Sequence, residues 1–125
     1  RVQERGIRVA PLFSTSCNLY LLGYTITVRQ IKTTSQFTTW LDRLKDINGR
    51  ARIQARIQRL ASGNPGKYRD LKLGVSELKI DVGPGYRVYY TQRRDILIIL
   101  LCGGDKSSQA KDIKLAYELV QGLEV

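Results

Sequence analysis

Three cationic side chains have the types and spacing to act on a phosphate ester. Lys79 falls on the polar face of an alternating segment, Arg87 follows a Gly-Pro-Gly turn at 83–85, and Lys106 begins the last helical pattern. If the turn closes a hairpin, Lys79 and Arg87 become neighbours across it. Arginine neutralises phosphate through a bidentate fork, and lysine transfers protons where nearby cations lower its pKa. The trio therefore suits RNA cleavage in which a 2′-hydroxyl attacks the adjacent phosphate.

Tyrosines on the strand after this turn are candidates for stacking on bases. By alternation Tyr89 shares the face of the arginine, whereas Tyr86 and Tyr90 share the opposite face, which we expect to be core. We expect Tyr89 to be exposed for stacking. We also assign Lys72 and Gln109 to the nucleic-acid-binding surface.

The overall charge points to a polyanionic partner. The 125 residues include 21 Lys and Arg against 11 Asp and Glu, a net charge of +10. Most of the excess lies in residues 25–66, where Arg52, Arg56 and Arg59 recur at helical spacing beside an apolar stripe. Two alternatives stay open for this row: a basic ridge that binds phosphates or an acidic segment, or a solvated helix face.

Other residue types exclude several classes of site. The chain has no histidine, so it lacks the usual general base near neutral pH and the commonest metal ligand. Cys17 and Cys102 are far apart and form no motif, which argues against a disulfide framework or a zinc site. We therefore expect a cytoplasmic protein with no metal and no other cofactor.

Residues 103–107 (Gly-Gly-Asp-Lys-Ser) superficially resemble a phosphate loop. They lack the upstream glycine and the four-residue spacer, which excludes a P-loop nucleotide triphosphatase. A glycine turn between a buried strand and a helix would still hold one phosphate. The alternative is a plain glycine turn with an Asp or Ser cap, and both remain open.

The elements that must position these residues form an α+β domain with a mostly antiparallel sheet of four or five strands. A strand at 25–31 precedes a hairpin of two helices, the first running from a Thr33-x-x-Gln36 capping box to Asn48-Gly49 and the second ending at 62–66. Strands follow at 68–73, 75–82, 86–91 and 96–101. The last is apolar on both faces and ends at Gly103-Gly104, before a C-terminal helix.

The first 24 residues differ from the rest, and we expect an N-terminal extension at 1–24 before a domain at 25–125. Their apolar stretch is short and interrupted by polar residues. It matches neither a signal peptide nor a membrane span, and we expect no membrane association.

Five motifs follow one another along the domain: Phe37-x-x-Trp40-Leu41-x-x-Leu44-Lys45-Asp46, Arg56-Ile57-x-Arg59-Leu60-x-x-Gly63-Asn64, Gly74-Val75-x-Glu77-Leu78-Lys79-Ile80, Gly83-Pro84-Gly85-Tyr86-Arg87-Val88-Tyr89-Tyr90 and Leu101-Cys102-Gly103-Gly104-Asp105-Lys106-Ser107-x-Gln109-x-x-Asp112-Ile113. Through them residues 25–125 resemble the RelE/HigB superfamily of toxins from bacterial toxin–antitoxin modules, and within it the phage Gp49-like addiction module killer group.

The resemblance implies two helices packed on a curved antiparallel sheet. It also implies an endoribonuclease that cuts mRNA, typically in the ribosomal A site, and leaves a cyclic phosphate and a 5′-hydroxyl. The implied partners are mRNA, the ribosome and a cognate antitoxin, often a helix-turn-helix protein. By position, Lys79 matches a lysine for proton transfer or charge stabilisation. Arg87 and Lys106 match residues that neutralise the phosphate.

The chain departs from that pattern at two positions. Glu77 stands where RelE has a lysine, and Asp112 where RelE has a tyrosine. Glu77 is therefore a candidate general base, if Lys79 and Arg87 hold it ionised. Two alternative functions stay open: a ParE-like inhibitor of DNA gyrase that cleaves nothing, and an inactive prophage-derived domain that binds its antitoxin. The clustered cations favour the nuclease.

Overall fold

Eight strands, three α-helices and one 3₁₀ turn make up the residues that the computed structural model describes, which are 7–12, 18–21 and 24–123. In chain order they are β1 (Ala10–Pro11), β2 (Asn18–Leu21), β3 (Tyr24–Thr27), β4 (Gln30–Thr33), α1 (Ser35–Arg43), α2 (Ile47–Ala61), β5 (Tyr68–Asp70), β6 (Val75–Ile80), β7 (Tyr86–Arg93), β8 (Leu97–Asp105), the 3₁₀ turn (Lys106–Ser108) and α3 (Gln109–Gln121).

Six of these strands form the main sheet, in the order β1-β4-β8-β7-β6-β5. Every neighbouring pair is antiparallel except β4 and β8, which run parallel. Strands β2 and β3 form a separate hairpin. The α+β class with a mostly antiparallel sheet is confirmed. The sheet is wider than the expected four or five strands because the short β1 adds to the edge of β4.

Helices cover both faces of the sheet, because β8 is apolar on both sides. Ile98 and Leu100 pack with α1 and α2, whereas Ile99 and Leu101 pack with α3. All four are fully buried. The prediction of a strand covered on both faces is therefore confirmed.

Two side chains determine where the first helices start. Thr34 Oγ1 accepts the N–H of Phe37 at 3.2 Å, and Asp46 Oδ1 accepts the N–H of Gly49 at 3.0 Å. The prediction that Asn48-Gly49 ends the first helix is wrong, because Asp46 caps a new helix there. In the described part of the chain, no helix has the length and apolar character needed to cross a membrane.

Gly103 and Gly104 lie inside β8, so the prediction that they end the strand is also wrong. The ring of Trp40 from α1 covers Gly103, and the carboxylate of Asp112 from α3 covers Gly104. A Cβ atom at either glycine would overlap the group above it. The two glycines thus allow a close approach on each face of the strand, where the sequence suggested a turn.

The N-terminal segment does not match the predicted elements. The strand expected at 25–31 is divided between β3 and β4, and it is β4 that pairs with β8. Part of the expected extension joins the sheet, since β1 pairs with β4 and Ile7 forms a bridge with Leu123. Cys17 lies outside the described residues.

We expect Gly103→Ala to lower the free energy of unfolding by about 1–3 kcal/mol, because the added methyl group overlaps the Trp40 ring. Urea denaturation followed by circular dichroism measures the difference. In a Trp40→Leu background the same substitution should cost clearly less. An equal cost in both backgrounds would contradict the steric explanation.

Candidate active site

The hairpin of β6 and β7 brings the predicted cations together. Lys79 and Arg87 are direct cross-strand partners, so this prediction is confirmed. Gly83 and Gly85 close the turn with φ of 57° and 82°. Lys106 joins them there: a Cβ placed on Gly85 would lie 3.6 Å from Cβ of Lys106 and 3.5 Å from Nη1 of Arg87.

Arg87 is a buried guanidinium that has no anionic partner in the part of the chain that the structure describes. Only 7% of the residue is exposed. Its Nη1 donates to the carbonyl oxygens of Gly85 and Tyr86, both at 3.2 Å, and its Nε has no hydrogen-bond partner. Within the described residues no carboxylate forms an ion pair with it. Because an unpaired buried charge is costly, this arrangement favours an anion supplied by a ligand.

Asp81 is an acidic residue that interacts electrostatically with Lys79 and Arg87. Its Oδ2 accepts a hydrogen bond from Nζ of Lys67 at 2.6 Å. That bond is the main cause of a lowered pKa at Asp81, against an opposing effect of desolvation, and the charges of Lys67, Arg87 and Lys79 lower the pKa further. Asp81 therefore offsets part of the positive charge, but its hydrogen bond goes to Lys67.

Glu77 lies on the same face as the cations and is fully buried. Its Oε1 accepts Nε–H of Arg69 at 2.7 Å, and its Oε2 accepts the Tyr89 hydroxyl and Nε2–H of Gln109, both at 2.8 Å. Desolvation raises the pKa of Glu77, but the bonds from Gln109, Arg69 and Tyr89 outweigh it and hold that pKa below its usual value. One carboxylate thus connects β5, β6, β7 and α3.

This network corrects two predictions. The expectation that Lys79 and Arg87 hold Glu77 ionised is wrong, because other donors do so. With both oxygens occupied and no exposed surface, Glu77 lacks the access that a general base needs. Tyr89 is also fully buried, so the expectation of an exposed ring for stacking is wrong. The expected placement of Tyr86 and Tyr90 in the core is confirmed.

The carboxylate of Asp105 caps the 3₁₀ turn that follows β8. Asp105 accepts the N–H of Ser107 at 2.8 Å, and Ser108 Oγ accepts the N–H of Asp105 at 3.3 Å. Together with the extended glycines, this cap favours the plain capped turn over a phosphate-holding loop at residues 103–107. Asp112, the second departure from the family pattern, is buried and accepts a hydrogen bond from Ser108. Desolvation is the main cause of its raised pKa.

The three arginines predicted to form a row on α2 differ in role. Arg52 and Arg59 are exposed, as a binding ridge requires. Arg56 turns back toward the sheet, and its guanidinium donates to the carbonyl oxygens of Lys79, Pro65 and Lys67. Arg56 therefore fits neither alternative for the row, a binding ridge or a solvated face, because it holds the loop before β5.

The two other residues predicted to bind nucleic acid, Lys72 and Gln109, lie in different parts of the fold. Lys72 is exposed in the turn between β5 and β6, whereas Gln109 is bound to Glu77 at the start of α3. Arg69, directly opposite Glu77 on β5, is a site residue that the sequence reasoning missed. The sequence could have indicated it, because an arginine faces a glutamate across two predicted strands. That pairing can be recognised only when the register of the two strands is known.

Comparison with known proteins identifies a relative. An uncharacterized protein of Haemophilus influenzae is 53% identical over 94 residues, which cover 75% of this chain and 95% of that protein. The chain belongs to the same family as the Haemophilus protein. No family model matches the sequence, and no solved structure matches it.

We expect Glu77 to stabilise the fold less as the solution becomes acidic. Its folded-state pKa lies below the ordinary value of 4.5. Its ionised contribution is therefore complete above that value and is lost as the pH falls through the folded-state pKa.

The measurement is urea denaturation of wild type and Glu77→Gln near neutral pH and at about pH 3. The stability advantage of wild type should shrink in acid. Glu118→Gln, at an exposed position of α3, is the matched control and should show no such change. A wild-type advantage that stays constant into acid would contradict the account of Glu77.

Proposed function

We propose that this protein is a toxin of the RelE/HigB superfamily, an endoribonuclease that cleaves mRNA on the ribosome in the cytoplasm and is inhibited by a cognate antitoxin. The observation that carries the proposal is the buried guanidinium of Arg87, which has no carboxylate partner among the described residues and lies beside Lys79 and Lys106. The five motifs that resemble the superfamily support the same assignment.

The cationic site suits the transition state of phosphodiester cleavage. Negative charge grows on the phosphate oxygens as the 2′-oxygen attacks, and fixed cations stabilise that charge without reorganising. Two backbone carbonyl groups orient Arg87 in advance. Lys106 is exposed at the rim and neutralises the phosphate from the solvent side.

The reaction uses the substrate's own 2′-hydroxyl as the nucleophile. A base removes its proton, the 2′-oxygen bonds to phosphorus, and the bond from phosphorus to the 5′-oxygen breaks. A proton passes to that leaving oxygen, so the products are a cyclic phosphate and a 5′-hydroxyl. We assign proton transfer to Lys79, which is half-buried beside Arg87, because Glu77 is enclosed by its three donors.

The exposed arginines of α2 serve a separate purpose in this proposal. The helix packs on the sheet face opposite to the one that carries the cations. Arg52 and Arg59 therefore belong to a helix on the other side of the sheet from the proposed reaction. They are suited to docking on ribosomal RNA or on an acidic segment of the antitoxin.

Primer extension on RNA from bacterial cells that express the protein tests the function. Cuts within translated codons, and recovery of growth when the antitoxin is co-expressed, are the expected results. Intact message together with broken DNA would overturn the proposal in favour of a gyrase inhibitor. Intact message, intact DNA and normal growth would overturn any toxin function.

We expect Arg87→Lys to slow mRNA cleavage by about 100-fold or more although it keeps the charge, because lysine lacks the planar fork that orients the phosphate. The rate is measured by primer extension in a translating extract. Lys114→Ala, which removes an exposed charge from α3, is the control and should cleave at the wild-type rate. A wild-type rate for Arg87→Lys would contradict the role assigned to the guanidinium.

A further inference from the structure

A fourth cation borders the site from the edge strand. Arg69 of β5 is the direct cross-strand partner of Glu77, and Lys79 lies two residues farther along β6. Cross-strand partners and alternate residues share a face, so all three project toward the side of α3. Arg87 projects on the same side from β7, two strands away and two residues farther along, a backbone separation of about 12 Å.

Glu77 fixes the guanidinium of Arg69 without covering it. The pair joins Nε of Arg69 to Oε1 of Glu77 at 2.7 Å. The carboxylate is fully buried, whereas 47% of the Arg69 side chain is exposed. Because Nε makes this bond, the two terminal nitrogens remain outside the pair and are available to a ligand.

By charge alone, Glu77 weakens the binding of an anion at this surface. Its contacts indicate a different contribution. It holds Arg69 on β5, Tyr89 on β7 and Gln109 on α3, which are the elements around the cations. Such a residue acts on a substrate through the groups that it positions.

We propose that Arg69 is a phosphate-binding residue positioned by Glu77, so that the site holds two phosphates of one RNA strand. Arg87, Lys79 and Lys106 bind the scissile phosphate, and Arg69 binds another phosphate of the same strand. This inference rests on the proposed function, because it takes RNA as the ligand.

The test is the binding of a short, fluorescein-labelled, fully 2′-O-methylated RNA. This probe has no free 2′-hydroxyl, so the proposed reaction cannot cleave it. Fluorescence anisotropy at several salt concentrations gives the affinity and its salt dependence. Each phosphate contact on a single strand contributes about 0.7 to the slope of log affinity against log salt.

We expect Arg69→Ala to bind this RNA about tenfold more weakly and to reduce the slope by about 0.7, because one charge-assisted phosphate contact is lost. Arg69→Lys keeps the charge but loses the Nε bond, so its affinity should lie between the two. Lys114→Ala, which removes a charge outside the site, should leave affinity and slope close to wild type.

The Glu77→Gln variant distinguishes a positioning role of Glu77 from the effect of its negative charge on RNA binding. If charge alone mattered, removal of a carboxylate from a basic surface would strengthen RNA binding. We expect binding to weaken several-fold, because an amide holds Arg69 by a neutral hydrogen bond in place of an ion pair and turns its NH2 group toward the donors Tyr89 and Gln109. We expect little further loss when Arg69→Ala is already present. Circular dichroism of each variant shows that it is folded.

The outcomes distinguish this inference from the proposed function. Wild-type affinity and slope in Arg69→Ala, with weakened binding in Lys106→Ala, would overturn the role of Arg69 alone. Unchanged binding in both variants, or no binding by wild type, would overturn the inference and the RNA site together. Tighter binding by Glu77→Gln would overturn the positioning role.

Discussion

Two helices can come into close contact with the backbone of one strand, from opposite faces, only where that strand carries no side chains. β8 meets this condition at Gly103 and Gly104, which lie under Trp40 of α1 and Asp112 of α3. The close approach of α3 places the start of that helix beside the β6–β7 turn. Lys106 thereby lies near Gly85, as does the guanidinium of Arg87, and Gln109 reaches Glu77. The geometry of the site therefore depends on having glycine, which carries no side chain, at positions 103 and 104 as much as on the charged groups themselves.

Three acidic side chains around the site are bound to groups other than Arg87, and that guanidinium has no anionic partner among the described residues. Glu77 is bound to Arg69 and two neutral donors, Asp81 is bound to Lys67, and Asp105 caps its own turn. Each of these three acids has a fixed partner other than Arg87. The guanidinium therefore remains available to an incoming anion while the surrounding charge is partly offset, and the net charge of +10 describes the docking surface better than it describes this site.

The hairpin with Lys79 and Arg87 was predictable because its information is local. Alternation in β6 and a glycine-rich turn determine which residues face one another. The prediction at Gly103-Gly104 was wrong because a pair of glycines is typical both of a turn and of a strand that a helix covers closely. The residue that distinguishes these two cases is Trp40, which is distant in sequence. The burial of Tyr89 likewise depends on partners from other elements, which alternation along one strand cannot reveal.

The parallel pairing of β4 with β8 has a consequence for the order of events during synthesis. The chain between these strands holds α1, α2, β5, β6 and β7, so β4 has only the two-residue strand β1 beside it until almost the whole domain has emerged. Pairings between such distant segments close late in folding. Lys106 and α3 emerge later still. Lys106 therefore reaches the hairpin of Lys79 and Arg87 only when the chain is nearly complete, so under the proposed function an unfinished copy lacks the full set of cations that acts on mRNA.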